Sequence, residues 1–368
     1  MPRRPLDESD VRVRPGRRGS RPRTKTRPEH ADSVVALVTG VDRGRYTVLA
    51  DAGGPDERPV TAMKARELGR ERVVPGDLVD LVGDTSGAEG TLARIVRIVE
   101  RTTVLRRTAD DSDPVERVIV ANADQLVIVT ALADPEPRTR MIDRCVVAAY
   151  DAGMDALLAL TKADLADPAP LVALYEPIGV RVVVTSRGPD GIVGLDEVHR
   201  ALAGRTSVLV GHSGVGKSTL VNALVPGAYR ATGVVNDVTG RGRHTSSSAI
   251  ALRVRVPELE GDAPTWVIDT PGVRSFGLAH VDPSRLLTAF ADLAAVGEEC
   301  PRGCTHTADA PDCALDEWVV GAPDAEVRAA RAARVESFRR LLASRTGAAD
   351  PEAPPVSAAP DTPTTPDA

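Results

Sequence analysis

Eight residues, Gly211-His-Ser-Gly-Val-Gly-Lys-Ser218, match the pattern G-x-x-x-x-G-K-[ST] without exception. Glycines at these intervals let a backbone curl until successive N–H groups face one anion, and a helix starting there adds its positive end. The pattern needs a strand before it and a helix after it. The apolar run 207–210 and the amphipathic run 217–224 supply both. Gly211, His212, Ser213, Gly214, Val215, Gly216, Lys217, Ser218 and Thr219 are therefore expected to bind nucleotide phosphates. Lys217 would bridge the β- and γ-phosphates, and Ser218 would offer a hydroxyl to Mg²⁺.

Two further segments complete a nucleotide reading. Asp269-Thr-Pro-Gly272 follows the apolar run 265–268, which puts a carboxylate at a strand end to hold Mg²⁺ and brings the Gly272 N–H toward a γ-phosphate. Thr161-Lys-Ala-Asp164 follows the apolar run 156–160. A carboxylate there accepts two hydrogen bonds from guanine, the Lys162 stem lies along the purine, and adenine offers no matching donor pair, so GTP is selected over ATP. Thr161 stands where Asn is usual in this motif. Thr185 and Ser186 follow another strand and bring a backbone N–H within reach of the guanine oxygen.

The polar stretch 233–248 contains Gly240-Arg-Gly-Arg-His-Thr-Ser. A loop of this kind orders around a γ-phosphate, with Thr245 completing the Mg²⁺ shell. Arg241 and Arg243 contact phosphate or RNA on that reading; a merely solvated loop is the alternative. Position 273 is Val rather than a water-orienting Gln. His244 is the titratable residue nearest in sequence to replace it, with a plain surface histidine as the other reading.

Cys300, Cys304, His306 and Cys313 fall within fourteen residues. Three thiolates and an imidazole make a closed tetrahedral set, which reads as one structural Zn²⁺ per chain, with free or redox thiols as the competing assignment. Cys145 lies on the apolar face of a helical pattern and reads as core.

Positioning these groups takes several folded units. At 368 residues the chain exceeds the size of one hydrophobic core. Residues 1–32 read as a disordered basic arm: the first thirty residues carry net charge +6, leaving −12 for the remainder of a chain at −6. The arm serves either phosphate-backbone contact or solubility. Residues 33–106 alternate apolar and polar positions between Gly- and Asp-rich breaks, as five short strands of an OB-fold would. Residues 107–291 alternate apolar strands with helices, the pattern of an α/β domain with a parallel sheet. Residues 292–346 hold the cysteines and then an Ala-, Arg- and Glu-rich helix. Residues 347–368 are Pro, Ala, Asp and Thr without period, and read as a disordered tail. No apolar run approaches the ~18 residues of a membrane span, and the basic start lacks the apolar core of a signal peptide. The expectation is a cytoplasmic monomer without membrane contact.

The order of these motifs is informative. In most GTPases the phosphate loop comes first, yet here Asp164 and Ser186 precede Gly211, so the domain is circularly permuted. A small β-barrel, a permuted GTPase domain opened by Asn122-Ala-Asp-Gln125, the loop Gly240-Arg-Gly-Arg-His-Thr245 and a Cys-Cys-His-Cys zinc domain together resemble the bacterial ribosome small-subunit-dependent GTPase A family. The likeness runs from about residue 33 to 344. It implies an α/β P-loop GTPase with an N-terminal OB-fold and a C-terminal zinc-binding domain, acting late in maturation of the 30S subunit. It further implies binding to 16S rRNA, hydrolysis of GTP to GDP stimulated by the subunit, Thr245 on Mg²⁺, and help from His244 in hydrolysis. Thr161 and one-residue shifts in the cysteine spacing depart from the family pattern. An RNA-binding factor using GTP as a structural ligand is the second reading; an ATP-dependent small-molecule kinase conflicts with Asp164.

Overall fold

The computed structural model describes residues 30, 32–108, 116–189, 191–226, 228, 249–255, 263–270, 276, 278, 281 and 283–345. Five strands come first: β1 (Val34–Asp42), β2 (Arg45–Ala50), β3 (Arg58–Lys64), β4 (Leu78–Gly83) and β5 (Ala93–Ile98). They close on themselves, because β1 pairs with both β2 and β4 while β3 pairs in parallel with β5. Period-2 alternation turns Val38, Val48, Val60, Leu81 and Ile95 inward. Small residues Ala36, Ala50, Ala62 and Ala93 share that interior, as a narrow barrel requires. Strand β3 is the one the sequence pattern did not delineate. Its Pro59 interrupts the apolar alternation but sits second in the strand, where a missing N–H is tolerated.

A hairpin of β6 (Val104–Arg107) and β7 (Arg117–Ala121) leads into the central sheet. That sheet contains β8 (Gln125–Ala131), β9 (Asp155–Thr161), β10 (Arg181–Val184), β13 (Thr206–Val210), β14 (Ile250–Val254) and β15 (Thr265–Asp269), in the order β10-β9-β8-β13-β15-β14. Two three-residue strands, β11 (Ser186–Gly188) and β12 (Gly191–Val193), form a separate hairpin after β10. Helices α1 (Thr139–Asp151) and α2 (Ala169–Tyr175) pack on one face; α3 (Leu195–Leu202) and α4 (Lys217–Leu224) pack on the other. Every residue of β8 is buried, so its unbroken apolar run reflects cover on both sides.

One expectation is corrected. Strand β14 runs antiparallel to β15 rather than extending a wholly parallel sheet. The connection spans only residues 255–264, and a parallel crossover needs about a dozen residues or more. The outer side of β14 meets the barrel, where Gly40 pairs with Ile250 after a bulge in β1 and Glu57 faces Arg253 at 3.0 Å.

The barrel is also tied to the head of the central domain. Asn122, at φ 54°, donates to the Gly76 carbonyl at 2.9 Å and accepts from the Thr102 N–H at 2.8 Å. Asp77 is fully buried, and Arg101 grips its carboxylate at 2.6 and 2.9 Å. Gly76 has φ 88°, and a Cβ there would fall 2.0 Å from the Ala121 carbonyl oxygen. Gly76→Ala combines a left-handed backbone cost of about 1–2 kcal/mol with that backbone clash. Equilibrium urea unfolding should show a loss of at least about 2 kcal/mol.

Beyond β15 come α5 (Pro283–Thr288), α6 (Ala291–Gly297), α7 (Ala314–Val320) and the long α8 (Ala325–Arg345). The chain has three phenylalanines, Phe276, Phe290 and Phe338, and all are buried in one core cluster with Ile142 and Tyr175 of the central domain. Phe290 meets Tyr150 and Phe338 edge-on, with ring centroids 5.2 and 5.7 Å apart. All three phenylalanines thus pack where the C-terminal helices seat on the central domain.

Candidate functional site

The carboxyl ends of β8, β9, β10, β13 and β15 share one edge of the central sheet, where ligands bind in open α/β folds. The chain leaves β13 at Gly211, whose absent Cβ makes room for the Val129 carbonyl 2.6 Å from that position. Gly214 (φ 86°) and Gly216 (φ 88°) adopt left-handed backbone, and Val215 anchors the loop in the core. Gly216 caps α4, so Lys217 opens the helix and the exposed Ser218 and Thr219 follow in its first turn. His212 is half-buried, its Nδ1 3.2 Å from the Ser213 carbonyl; Ser213 is exposed.

Lys217 Nζ forms an ion pair with Asp269 at the end of β15. The next residue, Thr270, donates its hydroxyl to the Leu209 carbonyl at 2.8 Å, locking β15 against the strand that feeds the phosphate loop. Ser218, next to Lys217, and Asp269 thus stand at the same sheet edge, a hydroxyl and a carboxylate of the hard-oxygen kind that suits Mg²⁺. Gly272, His244 and Thr245 lie outside the described residues.

Two strands from β13 in the sheet, at the end of β9, Thr161 stands where the motif usually has Asn. Its hydroxyl donates to the Val215 carbonyl at 2.6 Å, bracing the phosphate loop from β9. Thr161→Val keeps the shape and leaves that carbonyl without its donor, a cost of about 1–3 kcal/mol. Calorimetric titration with GDP should show affinity falling about fivefold or more, by the ratio of tenfold per 1.4 kcal/mol. Lys162 has φ 60°, and its Nζ donates to the Asp134 carbonyl. Asp164 is exposed, and its Oδ1 accepts the Arg187 N–H at 3.2 Å. Thr185 holds this corner together: its carbonyl accepts the Ala163 N–H at 3.1 Å and its hydroxyl donates to Leu160 at 3.1 Å. Ser186 begins the β11–β12 hairpin.

Two contributors were missed from sequence. The loop after β8 brings Asp134 against Lys162, and Pro135 Cδ within 3.6 Å of where a Gly214 Cβ would lie. Its signal, Asp134-Pro-Glu-Pro137 after a buried strand, was legible as a turn and not as a site wall. Arg187 matters through its main-chain N–H, on which side-chain type is silent.

The second site lies between α6 and α7. One ligand atom from each of Cys300, Cys304, His306 and Cys313 lies within 4.8 Å of the others. His306 Nδ1 is 3.5 Å from Cys300 Sγ and 3.9 Å from Cys313 Sγ. Backbone N–H groups already point at the sulfurs, from His306 to Cys304 at 3.4 Å and from Ala314 to Cys300 at 3.3 Å, the outer support that metal thiolates need. Burial, then the Arg339 charge, hold the His306 imidazole below its usual pKa, a shift toward the neutral form that ligates metals. Burial pushes the metal-free Cys300 thiol up to about 11, so a bound cation would displace its proton. The donor set and spacing fit a metal ion. Cys145 is core: burial pushes its thiol up to about 12.

These features have counterparts in known proteins. The RsgA GTPase family model matches residues 98–279. A protein of Chlorobaculum parvum named small ribosomal subunit biogenesis GTPase RsgA is 33% identical over 328 residues, covering 86% of this chain and 98% of that one. A relative of the same name from Ectopseudomonas mendocina is 38% identical over 234 residues, covering 61% of this chain and 63% of its own length. Among solved structures, YjeQ from Thermotoga maritima aligns with a TM-score of 0.59 at 23% identity over 86% of this chain and 99% of that chain. YloQ, described as a circularly permuted GTPase, aligns at 0.57 and 20% identity over 88% and 98%; these two likenesses speak to fold. With a phosphate loop, a Lys–Asp pair and a Thr-Lys-x-Asp corner meeting at one sheet edge in permuted order, the chain belongs to the RsgA GTPase family and is a GTP hydrolase.

Proposed function

We propose that this protein binds GTP–Mg²⁺ while engaged with the maturing small ribosomal subunit, hydrolyses it to GDP and phosphate when the subunit stimulates it, and then dissociates. The observation that carries the proposal is the convergence of Gly211–Thr219, Asp269 and Asp164 at one edge, in a chain that aligns with 98% of a relative named for small-subunit biogenesis. In this reading the loop N–H groups and Lys217 hold the phosphates, and Ser218, Asp269 and Thr245 hold Mg²⁺. Asp164, steadied by the Arg187 N–H, reads guanine, Lys162 lies along the purine, and a backbone N–H at Thr185 or Ser186 reaches the guanine oxygen. Bound Mg²⁺ would supply charge neutralisation on the β- and γ-phosphates. The Gly272 N–H meets the γ-phosphate, and His244 orients the attacking water.

Cys300, Cys304, His306 and Cys313 hold one structural Zn²⁺, as a closed four-ligand set of this chemistry does. The barrel, whose fold class commonly binds oligonucleotides, contacts 16S rRNA. Work on the small ribosomal subunit would place the protein in the cytoplasm, and we take it to act as a monomer. Among the described residues no helix is long and apolar enough to cross a membrane. Co-sedimentation tests the partner directly. Purified small subunits should retain the protein with a non-hydrolysable GTP analogue and release it with GDP. Equal retention with both nucleotides would favour an RNA-binding factor that uses GTP as a structural ligand, and no retention would remove the ribosomal partner.

A further inference from the structure

Helix α1 carries two consecutive buried charged residues that point to the C-terminal helix. Asp143 accepts from Arg340 of α8 at 3.1 Å and pairs with the Tyr175 hydroxyl at 2.9 Å, while the Arg340 guanidinium lies 5.0 Å from the Tyr175 ring centroid. Arg144 does something different. Its Nε donates to the Phe276 carbonyl at 2.7 Å, and its Nη1 donates to the Ser344 carbonyl at 3.1 Å. These partners lie 132 and 200 residues away in sequence. Ser344 belongs to the last turn of α8, whose carbonyls have no partner within the helix and carry its negative end. A guanidinium held in a rigid fork suits two fixed acceptors at once.

The two acceptors belong to different parts of the machine. Only residues 271–275 separate Phe276 from Thr270, which is locked to the phosphate-loop strand beside Asp269. At the other end, α8 grips the cysteine knuckle through Arg339, the neighbour of Arg340. Arg339 donates to the His306 carbonyl at 3.0 Å and makes a bidentate pair with Asp316 of α7, both contacts at 2.7 Å. Asp143–Arg340 fastens α8 to α1, Arg339 fastens the knuckle to α8, and Arg144 connects that body to the chain leaving the nucleotide edge.

We propose that Arg144 is a positioning residue that couples the nucleotide state to the placement of α8 and the metal knuckle. The coupling rests on nucleotide binding at Gly211–Thr219 as read above, and extends it to a route by which GTP and GDP forms present different surfaces. The Asp143–Arg340 pair alone would hold the helices in one arrangement. The fork of Arg144 makes that arrangement depend on where the Phe276 carbonyl sits.

The chain has two tryptophans, Trp266 in β15 and Trp318 in α7. In a Trp266→Phe background the zinc-loaded full-length protein therefore reports from the knuckle side alone. With Arg144 present, saturation with GDP and with a non-hydrolysable GTP analogue should bring Trp318 emission to two different end points. In Arg144→Met the end points should coincide, with GDP affinity by calorimetry unchanged. Arg144→Lys retains the charge and loses the fork, so it should behave as Met does. A merely structural role would lower the melting temperature and leave the difference between end points intact. The proposal is overturned if that difference survives in Arg144→Met or is restored in full by Lys. It is equally overturned if Trp318 in the Arg144 protein does not distinguish two nucleotides that calorimetry shows to bind. Absence of any nucleotide binding by calorimetry would instead strike the reading of the phosphate loop, and the coupling with it. Should Arg144→Met fail to fold, the Arg144 protein and the Lys variant decide the matter.

Discussion

Lys217→Ala should reduce GTP turnover by about 10²–10³-fold, the range seen when one preorganised donor to developing negative charge is removed. The geometry behind this figure is local. Lys217 is the first residue of α4, aimed by the left-handed Gly216 before it, and its ammonium already meets Asp269. That contact keeps the ammonium at the edge where the phosphate loop leaves its strand. On the proposed reading Asp269 would hold Mg²⁺ in the nucleotide complex, and Lys217 would then be free to meet the β- and γ-phosphates. Single-turnover hydrolysis with saturating GTP isolates the chemical step from binding. Turnover within tenfold of the unmodified protein would show that Lys217 does not act on the phosphates.

Asp164→Asn should lower GTP affinity by about 10²–10⁴-fold, because two hydrogen bonds to a charged acceptor at about 1.5–3 kcal/mol each are lost. It should at the same time confer binding of xanthosine triphosphate. An amide presents a donor where the carboxylate presented an acceptor, and xanthine carries a carbonyl where guanine carries its exocyclic amine. The surrounding backbone does not depend on the substituted group. Lys162 keeps its φ of 60° and the Ala163 N–H stays bonded to Thr185. An Asn oxygen can also accept from Arg187. Thermal melting should therefore be unchanged, which separates a loss of recognition from a loss of fold. Competitive titration with the two triphosphates makes the comparison, and an unaltered preference for GTP would remove Asp164 from the base site.

What the sequence could disclose depended on how far apart the cooperating groups lie. The phosphate loop is contiguous, so Gly211–Thr219 and the flanking β13 and α4 were readable from spacing alone. The cysteine set is nearly so, and its four ligands come together as that spacing implied. Local alternation revealed most barrel strands but not β3, where Pro59 masks the pattern. Strand direction was less accessible: β14 looks like any buried run, and the brevity of its link to β15 decides that it turns back. Contacts over long separations left no trace. The Thr161 hydroxyl bond to Val215 spans 54 residues, and Arg144 reaches across 132 and 200. A Thr in place of Asn looked like a weakness in the motif, yet its hydroxyl reaches the phosphate loop. Arg144 looked like one more arginine among 42.

The most direct test of the account is GTP turnover by the purified protein, measured alone and with added small ribosomal subunits, with ATP as the control nucleotide. Stimulation of GTP turnover by about tenfold or more, as expected when a partner orients the water or supplies proton transfer worth 10²–10⁴ in rate, with ATP left untouched, is the predicted result. A rate unaffected by small subunits, or equal turnover of ATP, would contradict it.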